Sequence, residues 1–373
     1  MTNKLASAKR LVIKIGSAIL VESESGRLRE DWLASICDDI AALKAQGKEL
    51  VIVSSGAIAL GRARLGLMGQ KLALGDKQAC AAAGQSLLTL AYERAFETHG
   101  IVTAQALLTL NDTENRRRWL NARQTLQTVL RHGGLPIINE NDTVATDEIR
   151  YGDNDRLAAR TAQMLGADTL ILLSDIDGLY TADPRNDQDA KHLPVIESLT
   201  DAIMAMGGGV NAEAAMGSGG MATKLAAAKI AVQAGCSMCI MDGRENNPLT
   251  RLDEGERCSW FHAQDNPKKA RSQWIGGTLK TVGSIIVDAG AAKALTQGNS
   301  LLAAGVTKLE GAFRKGDSVS VLGTDGVELA RGLVAYDAED AAKILGLKSK
   351  DIERVLGYDN GAALIHRDNL VML

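Results

Sequence analysis

The stretch from Asn139 to Asp155 concentrates carboxylates and amides directly after an apolar run. Its carboxylates are Glu140, Asp142, Asp147, Glu148, Asp153 and Asp155, and its amides are Asn139, Asn141 and Asn154. The preceding sequence LPII predicts a short buried strand. Carboxylates and amides at the end of a parallel strand suit a cation, a metal or a cationic ligand group. A solvated acidic loop is the alternative, because acidic loops are common on protein surfaces.

Two other stretches have the features of anion sites. Lys14 lies in the apolar run LVIKI, and a lysine there must either reach solvent along its alkyl chain or meet an anion. Gly16, two residues later, permits close approach of a ligand to the backbone. The later run LVIV leads through Ser55 and Gly56 into a helical pattern. That arrangement offers either an anion site or a plain serine helix cap.

A glycine-rich segment from Gly207 to Lys224 is the candidate phosphate loop. Its glycines expose backbone N–H groups, and Lys224 adds a positive charge at the start of an alanine-rich helix. It is not a Walker A loop, because no GK[ST] sequence occurs in the chain. A dinucleotide-binding loop is an alternative, since Gly217, Gly219 and Ala222 have its spacing, but no strand pattern precedes them as that fingerprint requires. A surface loop without a ligand is the other alternative.

Two lysines, a glycine loop and an acidic loop all lie at predicted strand ends. Parallel strands bring such ends to one edge of a sheet, where open α/β folds bind their ligands. The combination predicts phosphoryl transfer from a nucleotide. In that chemistry Mg²⁺ bridges the phosphates, and Lys14 and Lys224 neutralise the transferred charge.

The elements that must position these residues alternate along the chain. Strand-like runs and helical patterns alternate from Leu11 to Met241, which predicts an α/β fold with a doubly wound, mostly parallel sheet. From about Thr281 short apolar runs alternate with glycine-rich turns, as is typical of a small β-rich module. We therefore expect a catalytic domain at residues 8–265, a linker at 266–280 and a C-terminal domain at 281–373.

Composition narrows the class of protein. A chain of 373 residues with 46% hydrophobic residues is expected to form two globular domains. Its net charge of -3 argues against a nucleic-acid or acidic-membrane partner for the whole chain. Five scattered cysteines suit a reducing compartment. The first residues lack the apolar core of a signal peptide, and no apolar run approaches the roughly 20 residues of a membrane span. We therefore expect a cytoplasmic protein without a membrane partner.

A series of motifs identifies a family resemblance. In order, VIKIGS, VIVSSGAIALG, FETHGI, RWLNARQTL, PIINENDTVAT, GDND, GLYTADPR and GSGGMATK resemble the motifs of the amino-acid kinase family. The C-terminal module, with its ending AALIHRDNLV, looks like the PUA domain that many bacterial members carry. The resemblance covers nearly the whole chain. It implies ATP-dependent phosphorylation of the γ-carboxylate of L-glutamate to glutamyl 5-phosphate, the first step of proline biosynthesis.

The resemblance also implies roles for residues, motif by motif. The catalytic residues would be Lys14, Lys224 and Asp155, with Asp155 orienting the two lysines. Glutamate would be bound by Ser55, Asp142 and Asn154. ATP would be bound by Lys14, Ser174, Asp175, Ser218, Gly219, Gly220, Met221, Ala222, Thr223 and Lys224. A threonine is frequent in the family where this chain has Ser174, and the hydroxyl is retained. No protein ligand for a metal is implied.

The expected ligands are L-glutamate and ATP with Mg²⁺. The resemblance implies L-proline as a feedback inhibitor, a homo-oligomer (dimer or tetramer) and hand-off of the product to the glutamyl-phosphate reductase. From Thr281 to Leu373 there are ten Lys and Arg against twelve Asp and Glu. That balance argues against RNA binding by the PUA-like module and favours a structural or regulatory role. Two alternatives stay open: a kinase acting on N-acetylglutamate or aspartate, and a non-catalytic amino-acid or nucleotide sensor.

Overall fold

The structure is a computed structural model that describes residues 4–144, 154–208, 220–264, 266–267, 270, 281–358 and 361–373. The chain divides into two compact units, Met1–Pro267 and Lys268–Leu373. The predictions for Asp147, Glu148, Asp153, Ser218 and Gly219 fall outside the described residues.

The strands of the first unit lie mainly in one sheet. Among the described residues they are β1 (Arg10–Ile15), β2 (Glu49–Ser54), β3 (Thr103–Leu108), β4 (Leu135–Glu140), β5 (Thr169–Ser174), β6 (Leu179–Tyr180), β7 (His192–Leu193), β8 (Val195–Ile196), β9 (Ser237–Asp242) and β10 (Cys258–Phe261). The order in the eight-stranded sheet is β3-β4-β2-β1-β5-β9-β10-β8, and β6 and β7 pair separately.

The sheet is parallel from β3 to β9, and among its described strands only the β9–β10 pairing is antiparallel. The predicted doubly wound, mostly parallel sheet is therefore confirmed. After β1 the chain builds β2, β4 and β3 on one side of it, and then β5 and β9 on the other. The strand order thus reverses at β1, and such a switch point leaves a crevice at the carboxyl ends of the strands.

Helices cover both faces of this sheet, which explains why the central strands read as continuous apolar runs. In chain order they are α1 (Lys4–Ser7), α2 (Ser17–Leu20), α3 (Glu30–Ala45), α4 (Ala57–Arg64), α5 (Leu74–Glu97), α6 (Leu110–Glu114), α7 (Arg116–Arg131), α8 (Asn154–Leu165), α9 (Asp201–Ala205), α10 (Met221–Gln233) and α11 (Pro248–Asp253). One face packs on α3, α4 and α5, while α7, α8 and α10 contact β4, β1, β5 and β9. Across the described residues we find no helix with the length and apolar character needed to span a membrane.

Helices α4 and α5 cross with their backbones in contact. A Cβ at Gly61 would lie 1.8 Å from the carbonyl oxygen of Cys80, and a Cβ at Gly84 would lie 1.8 Å from that of Ala57. No side chain fits at either distance, so glycine is required at both positions for this close approach. The crossing fixes where α5 lies relative to the first turn of α4.

The second unit is a small β-rich domain, as expected. Its strands are β11 (Ser284–Val287), β12 (Leu301–Leu302), β13 (Val306–Glu310), β14 (Ser318–Leu322), β15 (Glu328–Leu333), β16 (Ala363–Ile365) and β17 (Leu370–Met372). A five-stranded sheet has the order β13-β11-β14-β15-β17, and β12 pairs with β16. Short helices α12 (Ala289–Thr296), α13 (Ala338–Lys343) and α14 (Ser349–Leu356) accompany them. Phe313 and Tyr336 are fully buried in the core of this unit.

Candidate active site

A cavity of about 890 Å³ opens at the carboxyl edge of the sheet, where β1, β2, β4, β5 and β9 end. This is the edge at which the switch point places a crevice. The predicted site residues that line it are Lys14, Ser55, Asp142, Asn154, Ser174, Asp175, Gly220, Met221 and Lys224. Three other predicted residues, Asp155, Ala222 and Thr223, do not line it.

Asp155 holds the two predicted catalytic lysines together. Lys14 Nζ lies 2.7 Å from Asp155 Oδ1, and Lys224 Nζ lies 3.3 Å from Asp155 Oδ2. The Asp155 side chain is only 1% exposed, and both lysines are buried. Burial alone would raise the pKa of Asp155, but the ammonium groups of Lys14 and Lys224 outweigh it and lower that pKa. The cluster therefore keeps one positive charge in excess at the wall of the cavity.

Thr223 supports this cluster through a hydrogen bond to Asp155. It is fully buried, and its hydroxyl lies 3.1 Å from Asp155 Oδ2 and 2.8 Å from the carbonyl oxygen of Gly220. Gly220 is the N-cap of α10 and lines the cavity. The start of α10 thus presents Gly220, Met221 and Lys224 to the cavity, while Thr223 faces Asp155. Lys224 reaches the same carboxylate as Lys14 although the two are 210 positions apart in the chain.

On the β2 and β4 side of β1, amide side chains connect the strand ends. Asn154 Nδ2 donates to Ser55 Oγ at 2.8 Å and to Asn139 Oδ1 at 2.9 Å. Asn139 follows the apolar part of β4, and Asn154 is the first residue of α8. These three residues line the cavity together. The predicted substrate residues Ser55 and Asn154 are therefore in direct contact.

Asp142 lines the same side of the cavity and is 8% exposed. Burial raises the pKa of its carboxyl to about 6. Among the described residues, no group donates a hydrogen bond to this carboxylate and no cation pairs with it. A buried carboxylate in that setting is unfavourable until a cationic or hydrogen-bonding partner arrives. The geometry suits an ammonium group of a ligand in the cavity.

On the β5 and β9 side, Ser174 ends β5 and Asp175 follows it, and the Ser174 hydroxyl lies 3.1 Å from Asp175 Oδ1. Asp242 ends β9 and also lines the cavity. Burial would raise the pKa of Asp242, but hydrogen bonds from Arg244 lower it. A Cβ at Gly16 would lie 3.7 Å from Lys14 Nζ, in the space beside that ammonium.

Several cavity residues were not assigned a role from the sequence. Asn139 and Glu140 were noted only as members of the acidic stretch, although both are buried and line the cavity. Arg185 also lines it, although the motif GLYTADPR that contains it served only for the family resemblance. Arg244 carried no signal at all. Arg185 and Arg244 could have been assigned to the wall of the cavity only if the pairing of β9 with β5 had been known first.

Known proteins resemble this chain along its whole length. The model of the amino acid kinase family matches residues 9–242, and the PUA domain model matches residues 283–356. A protein named glutamate 5-kinase from Paramagnetospirillum magneticum is 55% identical over 368 residues, covering 99% of both chains. A protein of the same name from Agrobacterium fabrum is 56% identical over 368 residues, covering 99% of this chain and 94% of that one. The chain therefore belongs to the amino acid kinase family and carries a C-terminal PUA domain, as the motifs predicted.

Proposed function

We propose that this chain transfers the γ-phosphoryl group of ATP to the γ-carboxylate of L-glutamate, which gives glutamyl 5-phosphate and starts proline biosynthesis. The observation that carries the proposal is the buried Lys14–Asp155–Lys224 cluster, which lies at the switch point of the sheet. On one side of this cluster Ser55, Asn139 and Asn154 line the cavity, and on the other side β5 and β9 end. The two relatives named glutamate 5-kinase support the choice of substrate. Membership of a kinase family supports ATP as the donor.

The chemistry needs no general base. A glutamate γ-carboxyl has a reference pKa of about 4.3, so it is already ionised at pH 7. One of its oxygens bonds to the γ-phosphorus, the bond from that phosphorus to the bridging oxygen breaks, and ADP leaves with the electron pair. Catalysis is then positioning plus neutralisation of charge. We assign the neutralisation to Lys14 and Lys224, which Asp155 holds side by side.

Asp142, Ser55 and Asn154 would select the amino acid. Asp142 pairs with the α-ammonium group of glutamate, because it is a buried carboxylate to which no described residue donates. Ser55 donates to a substrate carboxylate beside Lys14, and Asn154, which lines the cavity with it, holds Ser55 and completes the binding surface. N-acetylglutamate has no α-ammonium group, so the same Asp142 disfavours it. This is the feature that favours glutamate over the N-acetylated alternative.

The ATP site would follow β5 and precede α10. Ser174 and Asp175 line the cavity on the β5 side, and Gly220, Met221 and Lys224 line it at the start of α10. We keep Ser218 and Gly219 as proposed phosphate contacts on the strength of the motif alone. Ala222 lies within the first turn of α10, and Thr223 contributes through its hydrogen bond to Asp155.

Mg²⁺ would enter with the nucleotide. In the described part of the chain, no group of three or more His, Cys, Asp or Glu side chains could hold a metal ion. Mg²⁺ at kinase sites is held largely by phosphates and water with one or two carboxylates, so a protein cage is not required. Asp175 is a cavity carboxylate on the proposed ATP side that could supply one such ligand.

Further expectations stay proposals that rest on the family resemblance. They are the domain bounds 8–265 and 281–373 with the linker at 266–280, feedback inhibition by L-proline, a homo-oligomer, hand-off to the reductase and a cytoplasmic location. The free thiols of the five cysteines support a reducing compartment. The acidic balance of the PUA domain supports a structural or regulatory role over RNA binding.

A hydroxylamine-trapping assay tests the proposal. An acyl phosphate formed on the enzyme reacts with hydroxylamine to give a coloured hydroxamate complex with ferric ion. We expect product with ATP and glutamate, and far less with aspartate or N-acetylglutamate. A reaction with aspartate or N-acetylglutamate that exceeds the glutamate reaction would transfer the assignment to that substrate, and no product with any of the three would refute a carboxylate kinase.

A further inference from the structure

Helix α5 approaches the substrate side of the cavity without lining it. Gly84 of α5 contacts the first turn of α4 so closely that a Cβ there would lie 1.8 Å from the Ala57 carbonyl oxygen. That turn begins directly after Ser55 and Gly56, which line the cavity. The next residue of α5 is Gln85, so the same helix crossing fixes its position beside the end of β4.

Gln85 begins a chain of side-chain hydrogen bonds that ends in the cavity. Asn139 Nδ2 donates to Gln85 Oε1 at 2.8 Å, and Asn139 Oδ1 accepts from Asn154 Nδ2 at 2.9 Å. Asn154 Nδ2 then donates to Ser55 Oγ at 2.8 Å. Asn139 and Asn154 are buried, whereas Gln85 and Ser55 are half-buried. These hydrogen bonds connect a residue of α5 to the cavity wall through two buried amides.

Backbone groups fix the direction of every hydrogen bond in this chain. The Glu140 N–H donates to Asn139 Oδ1 at 2.8 Å, so that oxygen cannot exchange places with Nδ2. Asn154 Nδ2 lies 3.3 Å from the Ser54 carbonyl oxygen, which only accepts. Each amide therefore has one orientation. Two consequences follow: Ser55 Oγ is an acceptor toward Asn154, and Asn139 Nδ2 needs the oxygen of Gln85.

The hydroxyl hydrogen of Ser55 is left for a ligand. Its oxygen already accepts from Asn154, and among the described residues no acceptor takes its hydrogen. Because Ser55 lines the cavity, this O–H group can donate to an anionic oxygen there. This series of hydrogen bonds thus makes Ser55 a donor toward the substrate, and a carboxylate oxygen requires a donor.

We propose that Gln85 is a positioning residue for the amino-acid substrate, acting through Asn139 and Asn154 to hold Ser55 as a hydrogen-bond donor to a substrate carboxylate. The inference rests on the proposed function, since it takes glutamate as the ligand of Ser55. Gln85 itself does not touch the cavity. Without its oxygen the buried Asn139 Nδ2 loses its acceptor, so Asn139 is held less firmly in the position where its Oδ1 accepts from Asn154.

Substitution of Gln85 tests the proposal in the full-length enzyme. We expect Gln85→Met to weaken glutamate binding on the order of tenfold, the effect of losing one buried hydrogen bond. Gln85→Glu keeps an acceptor at the same length and should stay within about threefold of the parent. The measurements are calorimetric titration with glutamate in the absence of ATP, and KM for glutamate, KM for ATP and kcat in the trapping assay.

Gln163→Met is the matched control. Gln163 is also a half-buried glutamine on a helix, and its Oε1 accepts one hydrogen bond from Arg160 at 3.1 Å. We expect this control to leave both KM values unchanged, and Gln85→Met to raise only KM for glutamate. Gln85→Asn, which withdraws the oxygen from Asn139, decides in the same assays if Gln85→Met does not fold.

The outcomes separate the inference from the proposed function. A parent enzyme that forms no acyl phosphate from glutamate refutes the proposed function, and the positioning role falls with it. An active parent with Gln85→Met unchanged in glutamate affinity refutes the positioning role alone. Equal rises in KM for glutamate and ATP, or failure of Gln85→Glu to restore affinity, would also overturn it, because a general packing defect would then suffice.

Discussion

Replacing Asp142 by asparagine should weaken glutamate binding and at the same time stabilise the ligand-free protein. The Asp142 carboxyl is buried, no described residue donates to it, and burial raises its pKa to about 6. Such a carboxylate costs free energy in the empty site and is compensated only when an ammonium group binds. A stability cost at a binding residue is the expected trade-off between function and stability.

The size of the stability effect follows from the pKa. The folded protein holds the Asp142 proton more tightly than the unfolded chain does, so between about pH 4 and pH 6 this group makes the protein less stable as the pH rises. A rise from 3.8 to about 6 corresponds to roughly 3 kcal/mol at pH 7. Asp142→Asn should therefore raise the free energy of unfolding at pH 7 by up to roughly 3 kcal/mol, and by little at pH 4.

Binding gives the second half of the test. With a pKa of about 6, Asp142 is about 90% ionised at pH 7 and about 10% ionised at pH 5, so glutamate affinity should fall about tenfold over that range. Glutamate itself stays mainly ionised at pH 5, because its carboxyl pKa is about 4.3. In Asp142→Asn the affinity should be low and nearly independent of pH.

Urea denaturation at pH 4 and pH 7 and calorimetric titration with glutamate at pH 5 and pH 7 measure both halves. Equal glutamate affinity of the parent protein at the two pH values would refute the role of the carboxylate in binding. A variant less stable than the parent at pH 7 would refute the claim that the ionised group is unfavourable in the empty site.

Three further predictions concern the lysine cluster and the glycine crossing. Lys14→Ala should lower kcat in the trapping assay by about 10²–10³-fold with an unchanged circular dichroism spectrum, and near-parental kcat would remove Lys14 from the mechanism. Asp155→Asn leaves two buried ammonium groups without their carboxylate, so the free energy of unfolding in urea should fall by about 3–5 kcal/mol, and an unchanged value would show that the lysines do not depend on it. Gly84→Ala forces α4 and α5 apart and should cost about 1–3 kcal/mol or more in the same measurement, whereas Gly75→Ala, at an unobstructed position of α5, should not.

Long apolar runs made most of the fold predictable. LVIKI and LPII could be recognised as strands because the strands of a parallel sheet that is covered on both faces are apolar throughout. The structure extends these runs by one or two residues to β1 and β4. β8 could not be predicted, since two residues carry no periodicity. The antiparallel β10 was missed because its short sequence CSWF gives no sign of direction.

At the site, the residue types at the strand ends could be interpreted from the sequence. The residues that contact them without lining the cavity could not. Lys14 was recognisable because a charge in an apolar strand needs a reason. Gln85 gave no signal, since a glutamine in a helix is ordinary until its distance to Asn139 is known. Thr223 was predicted as a phosphate contact from its motif, and only the fold shows that its hydroxyl faces Asp155.

The wide separation of Lys14 and Lys224 along the chain has a consequence for biosynthesis. A nascent chain that has emerged only as far as β4 already contains Lys14 but lacks Asp155, so docking β1 would bury an unpaired ammonium group. A chain that ends before α10 contains Asp155 with a single lysine. The cluster is therefore completed only when α10 is made, and we expect chains that end before α10 to show no turnover.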